Sequence, residues 1–239
     1  MALAVEAQEL AIVVATKNHT PSILSPDFLT CSGIIGADLE LAQAPVSTPQ
    51  VSQLVFRNGI SMMAQVDRLI FVEQIAAKSL QDVSIAQIAR RYIAALPQAQ
   101  YQGIGINVQG LVPLGHQTPS VENYLTQTFL VSGSWQEFGH TPVQANLQLR
   151  YTLEHAHLTL SVAQAALQLA EGETTPILVF SGHFDHRLTA EQPLMPQVMQ
   201  ALTQWQSDLE TYQDLVNTRF LNTRLPEDST IPVFAAVGL

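Results

Sequence analysis

Apolar and polar positions along the chain alternate mostly with a period of two, in short runs punctuated by polar turns. Residues 10–16, LAIVVAT, form a compact apolar run that reads as a buried strand. The stretch VSQLVFRNGISMMAQVDRLIFVEQ, residues 51–74, predicts three antiparallel strands near 51–57, 60–65 and 68–74. Asn58-Gly59 suits a two-residue hairpin turn, because both residues tolerate positive φ, and Gln65 to Arg68 makes a second polar turn. Three further strand segments lie near 143–153, 157–168 and 176–184. YQGIGINVQGLV adds another, whose Gly103 and Gly105 suggest a bulge or a close backbone approach.

Three segments carry a helical period instead. In DVSIAQIARRYIAALP the residues Ile85, Ile88, Ala89, Tyr92 and Leu96 share one face, and Pro97 ends the helix. Ser84 with Gln87 forms a capping box there, and Val83 can staple to Ile88. Thr118 can cap a short helix opened by Pro119, with Val121, Tyr124, Leu125 and Phe129 inward. A long helix is expected from Pro196 to Leu221. Its apolar residues Val198, Leu202, Trp205, Leu209, Tyr212 and Val216 step by 4, 3, 4, 3 and 4, a heptad seam. About 25 residues of helix reach nearly 40 Å, about twice the width a typical strand presents. The seam is therefore a candidate interaction surface for a second helix as well as for the chain's own sheet.

The expected fold is α+β, with two antiparallel β-meanders (about 51–74 and 143–184), helices packed on one side and a long C-terminal helix. The chain reads as a single domain over 1–239, or as two half-domains sharing a core (about 1–115 and 116–239). Meander and helix recur in both halves without a residue-level repeat. Residues 17–50, with four prolines between Pro21 and Pro49, read as an ordered excursion against the core. The final IPVFAAVGL reads as a strand or packed tail.

Composition narrows the function classes. The net charge is -10, and charged residues make up 13%, about half the usual share. Lys17 and Lys78 are the only lysines, and Arg90-Arg91 is the only adjacent pair among scattered arginines. Nucleic acid and anionic membranes both call for clustered cations, so neither is an expected partner. No apolar run reaches 18 residues and the N-terminus lacks a basic n-region, so membrane insertion is not expected and a cytoplasmic location is. A lone Cys31 among apolar neighbours reads as a buried thiol.

Candidate chemistry gathers in two histidine groups, LEHAHL and SGHFDH. If 143–184 is a meander, one sheet edge collects His155, His157, His183 and Asp185, donors suited to zinc or iron. Strand alternation puts His183 and Asp185 on one face and His186 on the other. Nucleotide, metalloprotease and nucleophile-elbow motifs are absent. The phrases LVFRNGISMMAQVDRLIFVEQ and YQGIGINV, in a Gln-rich, Lys-poor chain, resemble uncharacterised conserved proteins of cyanobacterial type over about a third of the length. That resemblance implies an accessory or assembly role.

These observations favour a non-catalytic interaction protein: an assembly factor, adaptor or scaffold component working through hydrophobic and amide-rich surfaces. Its expected partner is another protein, a further copy of itself, or both. The alternative is a metal-dependent enzyme or metal-binding module using the His/Asp group. A third reading is a small-ligand pocket between the meanders near Tyr101 to Val108.

Overall fold

The computed structural model describes residues 3–36, 38–113, 121–141, 143–168 and 174–222. Among them nine strands form one antiparallel sheet: β1 (Glu6–Lys17), β2 (Val46–Ser47), β3 (Val51–Val55), β4 (Ile60–Gln65), β5 (Arg68–Gln74), β6 (Gln100–Pro113), β7 (Leu147–Thr152), β8 (Ala156–Gln168) and β9 (Thr174–His186). Their spatial order is β2-β3-β4-β5-β1-β6-β9-β8-β7. The helices are α1 (Pro26–Cys31), α2 (Ile85–Ala95), α3 (Val121–Thr128), α4 (Leu194–Ala201) and α5 (Trp205–Leu215), the last running into a π-helical turn at Val216–Leu221.

This corrects the expected α+β layout of two meanders. Strand exceeds helix, 39% to 28%, and both runs of strand belong to one large sheet. β1 joins them, pairing with β5 on one side and β6 on the other, while β6 pairs onward to β9. The physical reason is edge accounting. Separate meanders would leave unpaired backbone along β1 and β6, and joining them removes both edges. The strand order is palindromic about that seam. In each half a central strand is followed by a short helix, then by strands whose last member returns beside the central one, then by helix.

All the helices lie on one face. Leu10, Ile12, Val14, Phe71, Ile104, Ile106, Val108, Leu158, Leu160, Phe180 and Phe184 point there and are buried. Tyr92 of α2 stacks edge-on against Phe71 and Phe28, with ring centres 5.5 and 5.8 Å apart, and Phe220 meets Phe180 at 5.9 Å. We call this the inner face, and the opposite one the outer face.

The long C-terminal helix also needs correcting, because α4 and α5 are separate pieces. At the join, Thr203 and Gln204 donate their N–H groups three residues back, to Gln200 and Ala201, and the Thr203 hydroxyl takes the Gln200 carbonyl at 2.6 Å. This tight turn lets each piece follow the sheet, so no 40 Å rod has to overhang it. Val198, Leu202, Trp205, Leu209, Tyr212 and Val216 are all buried. The seam is core, used up against the chain's own strands, and the six residues offer no surface to another helix. Tyr212 lies over two glycines: a Cβ on Gly182 would sit 2.8 Å from its ring, and one on Gly110 would sit 2.7 Å from its hydroxyl. That hydroxyl donates to the Phe180 carbonyl at 2.9 Å.

Three local expectations change as well. The β3–β4 hairpin closes through three residues, Arg57 to Gly59, with Phe56 N–H bonded to the Ile60 carbonyl at 2.8 Å and only Gly59 at positive φ (85°). It is the type of turn that ends in a glycine bulge, and Asn58 has no need of the left-handed region. The Ser84 side chain makes no cap bond at α2. Glu73, buried on the inner face of β5, caps the helix from outside. Its Oε2 accepts the N–H groups of Ser84 and Ile85 at 2.9 and 2.8 Å, and its Oε1 binds Lys78 Nζ at 2.8 Å. Cys31 is exposed, because α1 is one and a half turns long and buries Leu29 instead. Thr118, Pro119 and the tail IPVFAAVGL lie outside the described residues.

Candidate functional site

Among the described residues the outer face carries no helix, and strand register fixes which side chains share it. One row runs across eight strands as Val55, Ser61, Val72, Ala11, Asn107, His183, Thr159 and Arg150. Its neighbour runs as Gln53, Met63, Ile70, Val13, Gly105, Asp185, His157 and Thr152. An antiparallel sheet with one wet face normally alternates cleanly between apolar inside and polar outside. In these two rows that alternation holds over β6 to β7 and fails over β3 to β1, where Val55, Met63, Ile70, Val72, Ala11 and Val13 all face outward. In this central band one half of the outer face is thus largely apolar and the other carries amides, hydroxyls and imidazoles. Farther along β6, β9 and β8 the outward residues Leu111, Val179 and Ala163 are apolar again.

A depression of about 530 Å³ hollows the polar half, lined by Ala11, Asn107, Gln109, Thr159, Ser161 and His183 among others. Its position on β6 overlaps the stretch Tyr101 to Val108 expected to border a pocket. His183 leans over Gly105, where a Cβ would come within 2.6 Å of its ring, and its Nδ1 is hydrogen-bonded to Asn107 Oδ1. Since that oxygen accepts, Nδ1 is the donor of the pair. The outer face is close to electrical balance, with Glu6, Glu9 and Asp185 against Lys17, Arg68 and Arg150. The chain's acidic surplus therefore lies elsewhere.

The proposed metal group is divided by the sheet. His157, His183 and Asp185 lie on the outer face, with His157 directly across from Asp185 and its Nδ1 3.4 Å from Thr152 Oγ1. His155 sits in the β7–β8 turn and reaches the inner side, where its Nε2 meets Asp208 Oδ1 at 3.1 Å. His186, the last residue of β9, places its Nε2 2.8 Å from Asp208 Oδ2. Each imidazole occupies its own oxygen of a fully buried carboxylate, and the ring centres are 5.6 Å apart. Both Nε2 atoms are engaged as hydrogen-bond donors, so the trio works as a clamp that pins α5 to the end of β9. Among the described residues no three of His, Cys, Asp or Glu are arranged to hold a metal ion.

Sequence reasoning missed His186 and Asp208. The available signal was Asp208 itself, a carboxylate three residues after Trp205 and four before Tyr212, on the buried stripe of α5. Such a group needs internal hydrogen-bond donors, and the imidazoles of His155 and His186 supply them here. His19 is a third inward imidazole, buried with its Nε2 3.4 Å from Tyr92 Oη. Burial lowers the His19 pKa and raises that of Tyr92, so the pair favours its neutral forms.

Compared with known proteins, the chain matches no family model and no curated protein. None of the helices described is long and apolar enough to cross a membrane.

Proposed function

We propose that the chain is a non-catalytic interaction protein, an adaptor or assembly factor, whose working surface is the outer face of the sheet. One observation carries this reading: the central rows of that face over β3, β4, β5 and β1 are largely apolar, and among the described residues no element covers them. Eight strands at about 4.8 Å, with roughly 20 Å of strand length, present about 770 Å², of which the apolar half is about 380 Å². Each side of a standard protein interface contributes about 800 Å². The partner that fits is a protein with an amphipathic face, apolar over Val13, Ile70 and Val72 and hydrogen-bonding over Asn107, Gln109 and Thr159. Near-neutral charge on this face suits contact with such a surface, and backbone pairing on both sides of each inner strand keeps it rigid. The metal-dependent alternative has no observation in its favour among the described residues.

The test uses the full chain and the double variant Ile70→Lys, Val72→Glu. Both positions face outward, so the inner core and the unfolding midpoint should stay unchanged. A protein from native extract that binds the unaltered chain with 1:1 stoichiometry, and binds the variant at least tenfold more weakly, supports the reading. Equal binding to both, or no binding to either, overturns it.

A further inference from the structure

The two ends of the sheet are finished differently. At one end β2 is only two residues long and lies between Pro45 and Pro49, a blunted edge. At the other end β7 runs for six residues, LQLRYT, with no proline and no lysine. It pairs with β8 on one side, and among the described residues no backbone hydrogen bond reaches its other side. Gln148, Leu149, Arg150 and Thr152 are exposed. A second observation points to the same place. Large apolar side chains that remain in solvent concentrate in β7 and the segment leading into it: Val131 and Phe138 are each 89% exposed, Trp135 43% and Leu149 37%.

We propose that β7 pairs antiparallel with β7 of a second copy, so that two sheets run on as one across a two-fold axis. Register selects the arrangement. Paired residues in an antiparallel ladder share a face, so the axis must pass through a residue and not between two. Centred on Arg150, the ladder would set two guanidiniums directly opposite each other, which is destabilising. Centred on Gln148, it would leave both Tyr151 and Thr152 without partners in β7, whereas a ladder centred on Leu149 leaves only Thr152. Centred on Leu149, it sets Leu149 against the partner's Leu149 and Leu147 against the partner's Tyr151 on the inner side, with Gln148 against the partner's Arg150 on the outer side. Every pair is then complementary, and the patch is self-complementary as a two-fold interface requires. Six residues of ladder alone fall short of the roughly 1,200 Å² of a stable interface. Val131, Trp135 and Phe138 supply the additional apolar area, since each aromatic can bury about 150–250 Å². The edge is distinct from the outer face, and each can be tested without the other.

Light scattering on the full chain at about 1–100 μM is expected to give twice the 26.1 kDa chain mass. Leu149→Lys places two ammonium groups opposite each other and should return the monomer with unchanged circular dichroism. Gln148→Glu creates two ion pairs with the partner's Arg150 and should tighten the dimer several-fold. In a Cys31→Ser background, Leu149→Cys should cross-link between copies at least tenfold faster than Arg150→Cys. A monomer throughout the concentration range overturns the proposal. So does a dimer that survives Leu149→Lys, or cross-linking that favours Arg150→Cys.

Discussion

The cap on α2 offers a sharp test of how this fold is held, because two residues compete for the role. Ser84 stands at the N-cap position, yet Glu73 from β5 accepts both the Ser84 and Ile85 N–H groups. Replacing Glu73 with Ala orphans two donors at the helix start, costing about 1 kcal/mol each. The Lys78 ion pair is lost too. Its side chain is 26% exposed, so water recovers part of that loss and the contribution is about 1 kcal/mol, well below a sealed pair. Together these come to about 3 kcal/mol, a large share of the usual 5–15 kcal/mol. For a chain of this length that corresponds to a fall in Tm of about 6–12 °C. Glu73→Gln keeps one oxygen for the helix and loses the charge, and should cost about half as much. Ser84→Ala should stay within about 0.5 kcal/mol. Urea and thermal unfolding followed by far-UV circular dichroism measure all three. If Ser84→Ala costs more than about 1 kcal/mol while Glu73→Ala costs less, the cap is local and the long-range account is wrong.

Two further outcomes follow from buried contacts. Gly182→Ala brings a methyl to 2.8 Å from the Tyr212 ring and should destabilise by about 1–3 kcal/mol, whereas Gly103→Ala, whose nearest neighbour would be 3.7 Å away, should be neutral or slightly stabilising. Comparing urea midpoints decides it, and equal costs would mean that Tyr212 does not rest on β9. For His19, burial sets the folded pKa below the ordinary 6.5, so between the two values the unfolded chain binds more protons. Stability should therefore fall as pH drops through about 6.5, and His19→Gln should flatten that dependence in denaturant titrations at stepped pH. A wild-type slope identical to that of the variant refutes the assignment.

What could be read in the sequence followed the range of the interaction. Strands β3 to β5 were legible in residues 51–74, because alternation and a glycine turn are local properties. Their union with β9, β8 and β7 was not, since it runs through pairs such as Val14 with Ile104, separated by 90 residues and leaving no local trace. The break between α4 and α5 was invisible for a related reason. The heptad spacing continues through Leu202 and Trp205 because both sides of the turn bury the same stripe. Sequence placed the seam residues on one face correctly as a pattern, but the identity of whatever covers that face is a tertiary fact. Likewise a capping box at Ser84 and Gln87 satisfies every local rule, and loses to a carboxylate eleven residues upstream that the sheet delivers already desolvated. In the candidate site, alternation separated His186 from His183. It could not show that α5 would bring Asp208 to meet it.

The palindromic strand order also has a kinetic consequence. Ribbons such as β3–β4–β5 and β8–β9 close over short stretches and can assemble on microsecond timescales. The middle of the sheet is different: it waits until the first strand of the chain finds one that begins at residue 100, a search whose entropic cost precedes any reward. During synthesis β1 (Glu6–Lys17) stays without its neighbour until β6 (Gln100–Pro113) has been made. For that interval β1 exposes an unpaired edge, an aggregation hazard that pairing with β6 removes.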